Sequence, residues 1–94
     1  MTLTNHAKIR MNQRIITLQD IYNTVKCGTP TSAKNNLTCY TYDNIYVILD
    51  PNTNTVITAC FTKSYTKQLE RHAKLNNIGF YAAIKQLRRI QIVS

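Results

Sequence analysis

The sequence predicts an α+β domain in which helical segments at both ends of the chain flank a small antiparallel sheet. Apolar residues recur with a helical period before residue 28 and after residue 66, and they alternate as in strands between residues 37 and 62. Ninety-four residues, 44% of them hydrophobic, allow one modest core and no second one. We therefore expect a single domain over residues 1–94, with an α-α-β-β-β core over 1–62 and a helical extension over 66–90.

The first third of the chain predicts two helices. Residues 4–14 form the first helix, and either Thr4 or Asn5 is expected to cap it, because their side-chain oxygens can accept a hydrogen bond from a free backbone N–H. Thr17 is expected to cap a second helix, with Asp20 three positions later completing a capping box. One face of this second helix carries apolar residues at helical spacing, namely Leu18, Ile21, Tyr22 and Val25.

The middle of the chain predicts a three-stranded antiparallel meander, or a sheet with a fourth strand added. Gly28 ends the second helix, and the polar residues 29–36 are expected to form a loop. Three β-branched, aromatic and apolar segments follow, joined by turn residues at 43–44 and 50–54, and they cover residues 37–42, 45–49 and 55–62. Simple alternation in the third strand places one set of side chains on one face (Val56, Thr58, Cys60, Thr62) and the other set opposite (Ile57, Ala59, Phe61).

The last third of the chain predicts helix again. One helix is expected from about residue 66 to 75, and a second amphipathic helix is expected to run to about residue 90 after an interruption at Asn76 and Asn77. Three basic residues, Lys85, Arg88 and Arg89, lie mostly off the apolar stripe of the second helix. We expect them to form a basic outer surface.

Charge is the strongest global feature of the sequence. Twelve Lys and Arg against four acidic residues give a formal net charge of +8. Such an imbalance in a small domain favours an anionic partner, nucleic acid above all, although a positive surface that serves only solubility is the alternative. A membrane partner is not expected, because no apolar run approaches the roughly 20 residues of a membrane span and the basic residues are not gathered in one run.

The cysteine and carboxylate content excludes several kinds of site. Three cysteines without a C-x-x-C pair imply neither a disulfide framework nor a zinc site, and they suit a reducing cytoplasm as the site of action. Two-metal nucleases need several converging acidic ligands, whereas the chain has only Asp20, Asp43, Asp50 and Glu70. We therefore expect no metal and no other cofactor, and any hydrolysis of nucleic acid should be metal-independent.

His6, Arg10 and Arg14 are the most informative candidate residues. Their four-residue spacing places them along one face of the first predicted helix. An imidazole that can exchange protons near neutral pH, beside two guanidinium groups that bind phosphate, suits phosphodiester chemistry. The alternative is an exposed basic helix face on which His6 has no chemical role.

A second candidate cluster lies at the end of the third predicted strand. Thr58, Lys63 and Tyr65 offer hydroxyl and ammonium groups that could contact a phosphate, although they also suit an ordinary polar exit from a sheet. Tyrosines at 40, 42 and 46 could stack on bases or simply pack on the sheet. The remaining candidate nucleic-acid contacts are Lys8, Lys67, Lys85, Arg88 and Arg89.

The opening segment resembles a bacterial domain family of unknown function. The shared pattern is H-A-x-x-R-M-x-x-R-x-I, which here runs from His6 to Ile16, and a V-x-T segment corresponds to Val56-Ile57-Thr58. The family has Gly after its second Arg, where this chain has Ile15. The similarity covers roughly residues 3–62 and leaves 66–94 outside.

Such domains are similar to the barnase/EndoU/colicin/RelE-like group of small metal-independent ribonucleases, which act as toxins. The resemblance implies a RelE/barnase-like fold and cleavage of RNA, tRNA included, by attack of its own 2′-OH. It implies proton transfer by His6, phosphate binding by Arg10 and Arg14, and a substrate contact from Thr58; Lys63 and Tyr65 are added from their position alone.

The resemblance also implies an acidic antitoxin or immunity protein, and a cytoplasmic site of action that the protein can reach as a delivered toxin domain. Two alternatives stay open. One is a non-catalytic nucleic-acid-binding module, and the other is a small basic protein that docks on an acidic partner.

Overall fold

The computed structural model describes the backbone of residues 1–93 and the side chains of residues 1–88. Over these residues the protein is α+β, as the sequence predicts, with four α-helices and one five-stranded mixed sheet. The elements are β1 (Thr2–Leu3), α1 (Asn5–Arg14), α2 (Leu18–Cys27), β2 (Thr29–Ser32), β3 (Thr38–Tyr42), β4 (Ile45–Asp50), β5 (Thr55–Phe61), α3 (Lys63–Leu75) and α4 (Phe80–Val93).

Backbone contacts divide the chain into two compact units, Met1–Thr62 and Lys63–Ser94. The first unit holds the whole sheet with α1 and α2. The second unit holds α3 and α4. None of the described helices is both long enough and apolar enough to cross a membrane.

The sheet has the strand order β1-β5-β4-β3-β2. β1 pairs with β5 in parallel, and the other neighbours are antiparallel. The predicted antiparallel meander is therefore correct for the core of the sheet, and the structure adds one strand at each edge of that core. The edge strands β1 and β2 are too short to show the alternation of apolar and polar residues that marks a strand, so the sequence does not predict them.

β2 occupies the segment for which the sequence predicts a loop. Pro30 suits this position because β2 is an edge strand, where a missing N–H leaves no ladder hydrogen bond unmade. Gly28 joins α2 to β2 in an extended conformation, with φ −77° and ψ 163°. A Cβ at Gly28 would collide with the backbone oxygen of Thr24 in α2 itself and lie 3.0 Å from that of Thr41 in β3, so the tight exit from α2 beside β3 requires glycine here.

The caps of α1 and α2 are those that the sequence predicts. Thr4 caps α1 by accepting a hydrogen bond from the Ala7 N–H at 3.0 Å, and its hydroxyl also donates to the Ile57 carbonyl at 3.0 Å, which ties α1 to β5. Thr17 and Asp20 form the reciprocal capping box of α2. Both threonines stabilise a helix N-terminus, because they accept hydrogen bonds from backbone N–H groups that have no partner within the helix.

Ile15 ends α1 in the left-handed conformation, with φ 55° and ψ 43°. The resembling family has glycine at this position, which adopts such angles without steric cost, whereas a β-branched residue does so only under strain. The turn between α1 and α2 is therefore made here with the same backbone conformation that glycine would favour.

The faces of the sheet differ sharply in burial. One face is buried, and it comprises Ile45, Val47, Leu49, Val56, Ala59 and Phe61. A register shift between Ile48 and Leu49 inserts Ile57 as an extra residue in β5. This bulge overturns the expected alternation, because Val56 shares the buried face with Ala59 and Phe61, while Thr58 and Cys60 lie on the other face.

The helices of the first unit pack through few residues. α1 lies against β5, and α2 lies against β3 and β4. Ala7, Ile16, Ile21 and Thr24 are buried, and the Thr24 hydroxyl donates to the Asp20 carbonyl at 2.7 Å. Leu18 and Tyr22 are more than half exposed, so only part of the apolar stripe predicted for α2 faces the core.

The second unit is a pair of helices in contact. α3 begins at Lys63, three residues before the predicted start, and buries Tyr65, Leu69 and Ala73. α4 buries Ala83 and Ile84. His72 Nε2 and Gln86 Oε1 are 2.8 Å apart and link the two helices by a hydrogen bond.

Candidate functional site

The three residues singled out from spacing lie on α1 as predicted. His6 is exposed in the first turn, and Arg10 is half-buried with its Nη1 donating to Gln13 Oε1 at 3.2 Å. Successive members of the set are about 6 Å apart along the helix axis, so His6 and Arg14 are separated by about 12 Å along it. His6 and Arg10 can therefore reach one phosphate together, while Arg14 lies at the opposite end of the helix.

Arg14 lies in an environment that differs from that of Arg10. Its Nη1 atom is buried and has no hydrogen-bond partner among the described side chains and backbone. A buried charged donor without a partner is costly, and an anion of suitable size would offset that cost. Arg14 is therefore the strongest candidate anion-binding group in the first unit.

The half-buried face of the sheet carries Tyr46, whose hydroxyl interacts electrostatically with Arg14. On this face Tyr46 of β4 lies directly opposite Cys60 of β5, and Ile48 lies opposite Thr58. Thr58 is thus a diagonal cross-strand neighbour of Tyr46, at a separation of about 7–8 Å. We call Arg14, Tyr46, Thr58 and Cys60 the Arg14 site.

The pKa of the Tyr46 hydroxyl reports on this arrangement. Burial raises that pKa above its ordinary value of 10.0, and a hydrogen bond with Cys60 together with the nearby Cys60 and Cys39 thiols raises it further. The positive charge of Arg14 acts in the opposite direction. Tyr46 is consequently a neutral hydrogen-bonding group at physiological pH, and the charge available to an anion comes from Arg14.

The second predicted cluster has members in both units. Thr58 lies in β5 of the first unit, whereas Lys63 and Tyr65 belong to α3 of the second unit. Lys63 is exposed. Tyr65 is only 3% exposed, and its hydroxyl is buried as well, so it packs in the core and direct contact with an RNA is not favoured.

The predicted basic contacts also separate into groups. Lys8, Lys67 and Lys85 are exposed, and Lys85 Nζ lies 5.5 Å from the centroid of the Tyr81 ring. Arg88 is only 7% exposed, so the expectation that it belongs to an outer surface is wrong. Arg89 lies outside the residues whose side chains the structure describes.

All three cysteines are free thiols, Cys27 exposed and the other two half-buried. Within the described part of the chain, no three His, Cys, Asp or Glu side chains lie close enough together to hold a metal ion. The Arg14 site offers guanidinium, hydroxyl and thiol groups.

Sequence reasoning misses two features of the molecule. Tyr46 and Cys60 become neighbours only through the strand register, which the sequence does not reveal. The basic residues Arg71 and Lys74 of α3 are exposed. Their spacing from Lys63 and Lys67 is a helical one, and that signal could have been found in the sequence.

Comparisons with protein-family models, with curated proteins and with solved structures give no match. Function is therefore argued from the residues and their geometry.

Proposed function

We propose that this protein is a metal-independent endoribonuclease in which α1 supplies the groups that bind phosphate and transfer protons. The observation that carries the proposal is the buried, unpartnered guanidinium nitrogen of Arg14 on the helix that also presents His6 and Arg10. A phosphodiester satisfies such a donor, and the net charge of +8 draws polyanions toward it.

In the proposed reaction His6 accepts the proton of the RNA 2′-OH. The 2′ oxygen forms a bond to phosphorus, the bond from phosphorus to the 5′ oxygen breaks, and water protonates the leaving oxygen. The products are a 2′,3′-cyclic phosphate and a 5′-OH end. Arg10 stabilises the charge that develops on the phosphoryl oxygens beside His6, and Arg14 with the Thr58 hydroxyl binds a neighbouring phosphate of the same RNA.

Two further observations support this proposal. The helix that carries His6, Arg10 and Arg14 packs against β5, the strand that carries Thr58, so these proposed substrate contacts belong to two neighbouring elements. In addition, the carboxylate shortage leaves RNA, which carries its own nucleophile, as the nucleic acid that this chain can cleave without a metal.

The proposal extends to partners and place of action. An RNA such as tRNA is the substrate, and an acidic antitoxin or immunity protein neutralises the basic surface. The reaction takes place in a cytoplasm, where that RNA is found.

One observation favours a second candidate function, a nucleic-acid-binding module without catalysis. His6 is exposed, and its ring makes no hydrogen bond within the described part of the chain. Catalytic histidines are usually oriented by such a partner. In this alternative the same arginines hold the phosphate backbone and no bond is broken.

The two functions are distinguished with an RNA oligonucleotide and a matched one that carries a single deoxyribose at the position of a mapped cut. The nuclease proposal expects the cut to disappear at the modified position and to persist at others. Cleavage that continues past the deoxyribose would rule out attack by the 2′-OH. Binding of both oligonucleotides without any product would establish the binding module, and the absence of binding at moderate salt would indicate a protein partner.

A further inference from the structure

α3 presents a continuous stripe of positive charge. Lys63, Lys67, Arg71 and Lys74 are all exposed, and their spacing places them within about 80° of the helix circumference over about 16 Å of its length. We call these four residues the α3 stripe. The buried residues of the same helix, Tyr65, Leu69 and Ala73, lie on the opposite side.

The second unit carries most of the charge of the protein. Residues 63–94 hold seven of the twelve basic residues and one of the four acidic residues, so 7 − 1 gives +6 of the total +8. Four of the seven basic residues form the α3 stripe. The positive charge is therefore concentrated outside the segment that contains the Arg14 site.

The positive charges of the α3 stripe do not stabilise the helix that carries them. Like charges four residues apart destabilise a helix by a few tenths of a kcal/mol per pair, and Lys63 also lies at the helix N-terminus, where positive charge is unfavourable. Glu70 offsets this in part, because it lies within one turn of Lys67 and Lys74. An arrangement that costs folding energy in the free protein gains from an anionic partner.

We infer that the α3 stripe binds the phosphate backbone of a nucleic acid, independently of sequence. Three of its four residues are lysines, which act as flexible point charges and suit phosphate contacts that carry no base readout. The inference goes beyond the proposed nuclease activity and does not require it. The α3 stripe supplies affinity, whereas the chemistry is assigned to α1.

Two other anionic partners fit the α3 stripe less well. A helix that lies on a membrane inserts its apolar face into the lipid, but the apolar face of α3 is buried within the protein. Lysine is depleted at protein–protein interfaces, because its strongly hydrated ammonium group resists desolvation. A phosphate backbone accepts such contacts without removing the lysines from water.

The test uses a labelled single-stranded DNA oligonucleotide, which lacks the 2′-OH, so binding is measured whether or not the protein cleaves RNA. Four single-strand phosphate contacts predict that affinity falls roughly 50-fold between about 50 and about 200 mM salt. The pair Lys67→Gln/Lys74→Gln should lower the slope of log affinity against log salt by about 1.4. Replacing all four stripe residues should lower it by about 2.8.

The control pair is Lys26→Gln/Lys34→Gln, which removes two exposed lysines of the first unit. It should leave the slope nearly unchanged. An equal loss of slope in both pairs would mean that net charge alone matters, and no loss in the stripe pair would overturn the inference. Stripe-dependent binding to phosphatidylserine vesicles but not to DNA would assign the surface to membranes instead.

Stability of the variants is measured in parallel by urea unfolding. Since the α3 stripe destabilises its helix, the stripe variants should be at least as stable as the native protein, and lost affinity then does not reflect unfolding. If the fourfold variant fails to fold, the two matched pairs decide the question. If the native protein does not cleave RNA, but the salt dependence of its DNA binding still requires the α3 stripe, only the nuclease proposal is contradicted.

Discussion

At the scale of single residues, Arg10 and Arg14 differ in the hydrogen-bond partners of their guanidinium groups. Arg10 donates to Gln13, whereas Arg14 keeps a buried nitrogen for which the described part of the protein offers no acceptor. Spacing in the sequence places His6, Arg10 and Arg14 on one helix face, but it does not distinguish these environments. Burial is a property of the packed sheet and helices, so the special position of Arg14 could not be predicted.

A first prediction concerns this unpartnered charge. Arg14→Met should leave the free protein as stable as the native one or more stable, because it removes a buried charged donor and keeps an apolar stem of similar length. Inorganic phosphate should raise the midpoint of thermal unfolding of the native protein but not of Arg14→Met. Lys26→Met, which removes an exposed basic residue outside both the Arg14 site and the α3 stripe, serves as the control and should keep the response to phosphate.

An equal response of the native protein and Arg14→Met to phosphate would show that the buried nitrogen binds no anion. Because phosphate also stabilises proteins in general by exclusion from their surface, only the difference between the variants is informative.

A second prediction follows from the raised pKa of Tyr46. The folded state favours the protonated hydroxyl, so this group contributes stability below its ordinary pKa of 10.0, and that contribution is lost as pH rises through the higher pKa of the folded protein. The difference in free energy of unfolding between the native protein and Tyr46→Phe should therefore be constant below pH 10.0 and should change in favour of Tyr46→Phe above it. Urea unfolding at a series of pH values measures it. Parallel curves throughout would contradict the burial of this hydroxyl.

At the scale of elements, interactions between residues close in sequence predict where helices start and where the chain turns. The capping box of Thr17 and Asp20 and the turn at Asp43 are visible in the sequence because they depend on residues only a few positions apart. The bulge at Ile57 and the pairing of β2 depend on contacts between strands. These are set by tertiary packing, and this is why the sequence assigned Val56 to the wrong face and β2 to a loop.

A third prediction tests the tight exit from α2 beside β3. Gly28→Ala should destabilise the protein by about 1–3 kcal/mol, because the added methyl group collides with backbone atoms that cannot move independently. Gly79→Ala is the matched control, since a Cβ at Gly79 has open space around it, and it should change stability by only a few tenths of a kcal/mol. Chemical denaturation of both variants is the measurement, and equal effects would contradict the tight exit.

At the scale of the whole molecule, the distribution of charge follows the division into two units. The first unit contains the sheet, the Arg14 site and the candidate catalytic residue His6, while the second carries most of the net positive charge. Composition predicts a polyanionic partner for the chain as a whole. It cannot separate a surface for affinity from a site for chemistry, because that separation depends on which basic side chains are buried, as Arg88 illustrates.

The central claim is that His6 and Arg14 act together in metal-independent cleavage of RNA. The most direct measurement is incubation of the purified protein with total RNA and with tRNA in EDTA, beside His6→Ala, Arg14→Gln and the control Lys26→Gln. We predict discrete fragments with 2′,3′-cyclic phosphate ends from the native protein and Lys26→Gln, and none from the other two. Fragments of equal yield from His6→Ala, or intact RNA over a wide range of native protein concentration, would contradict the account.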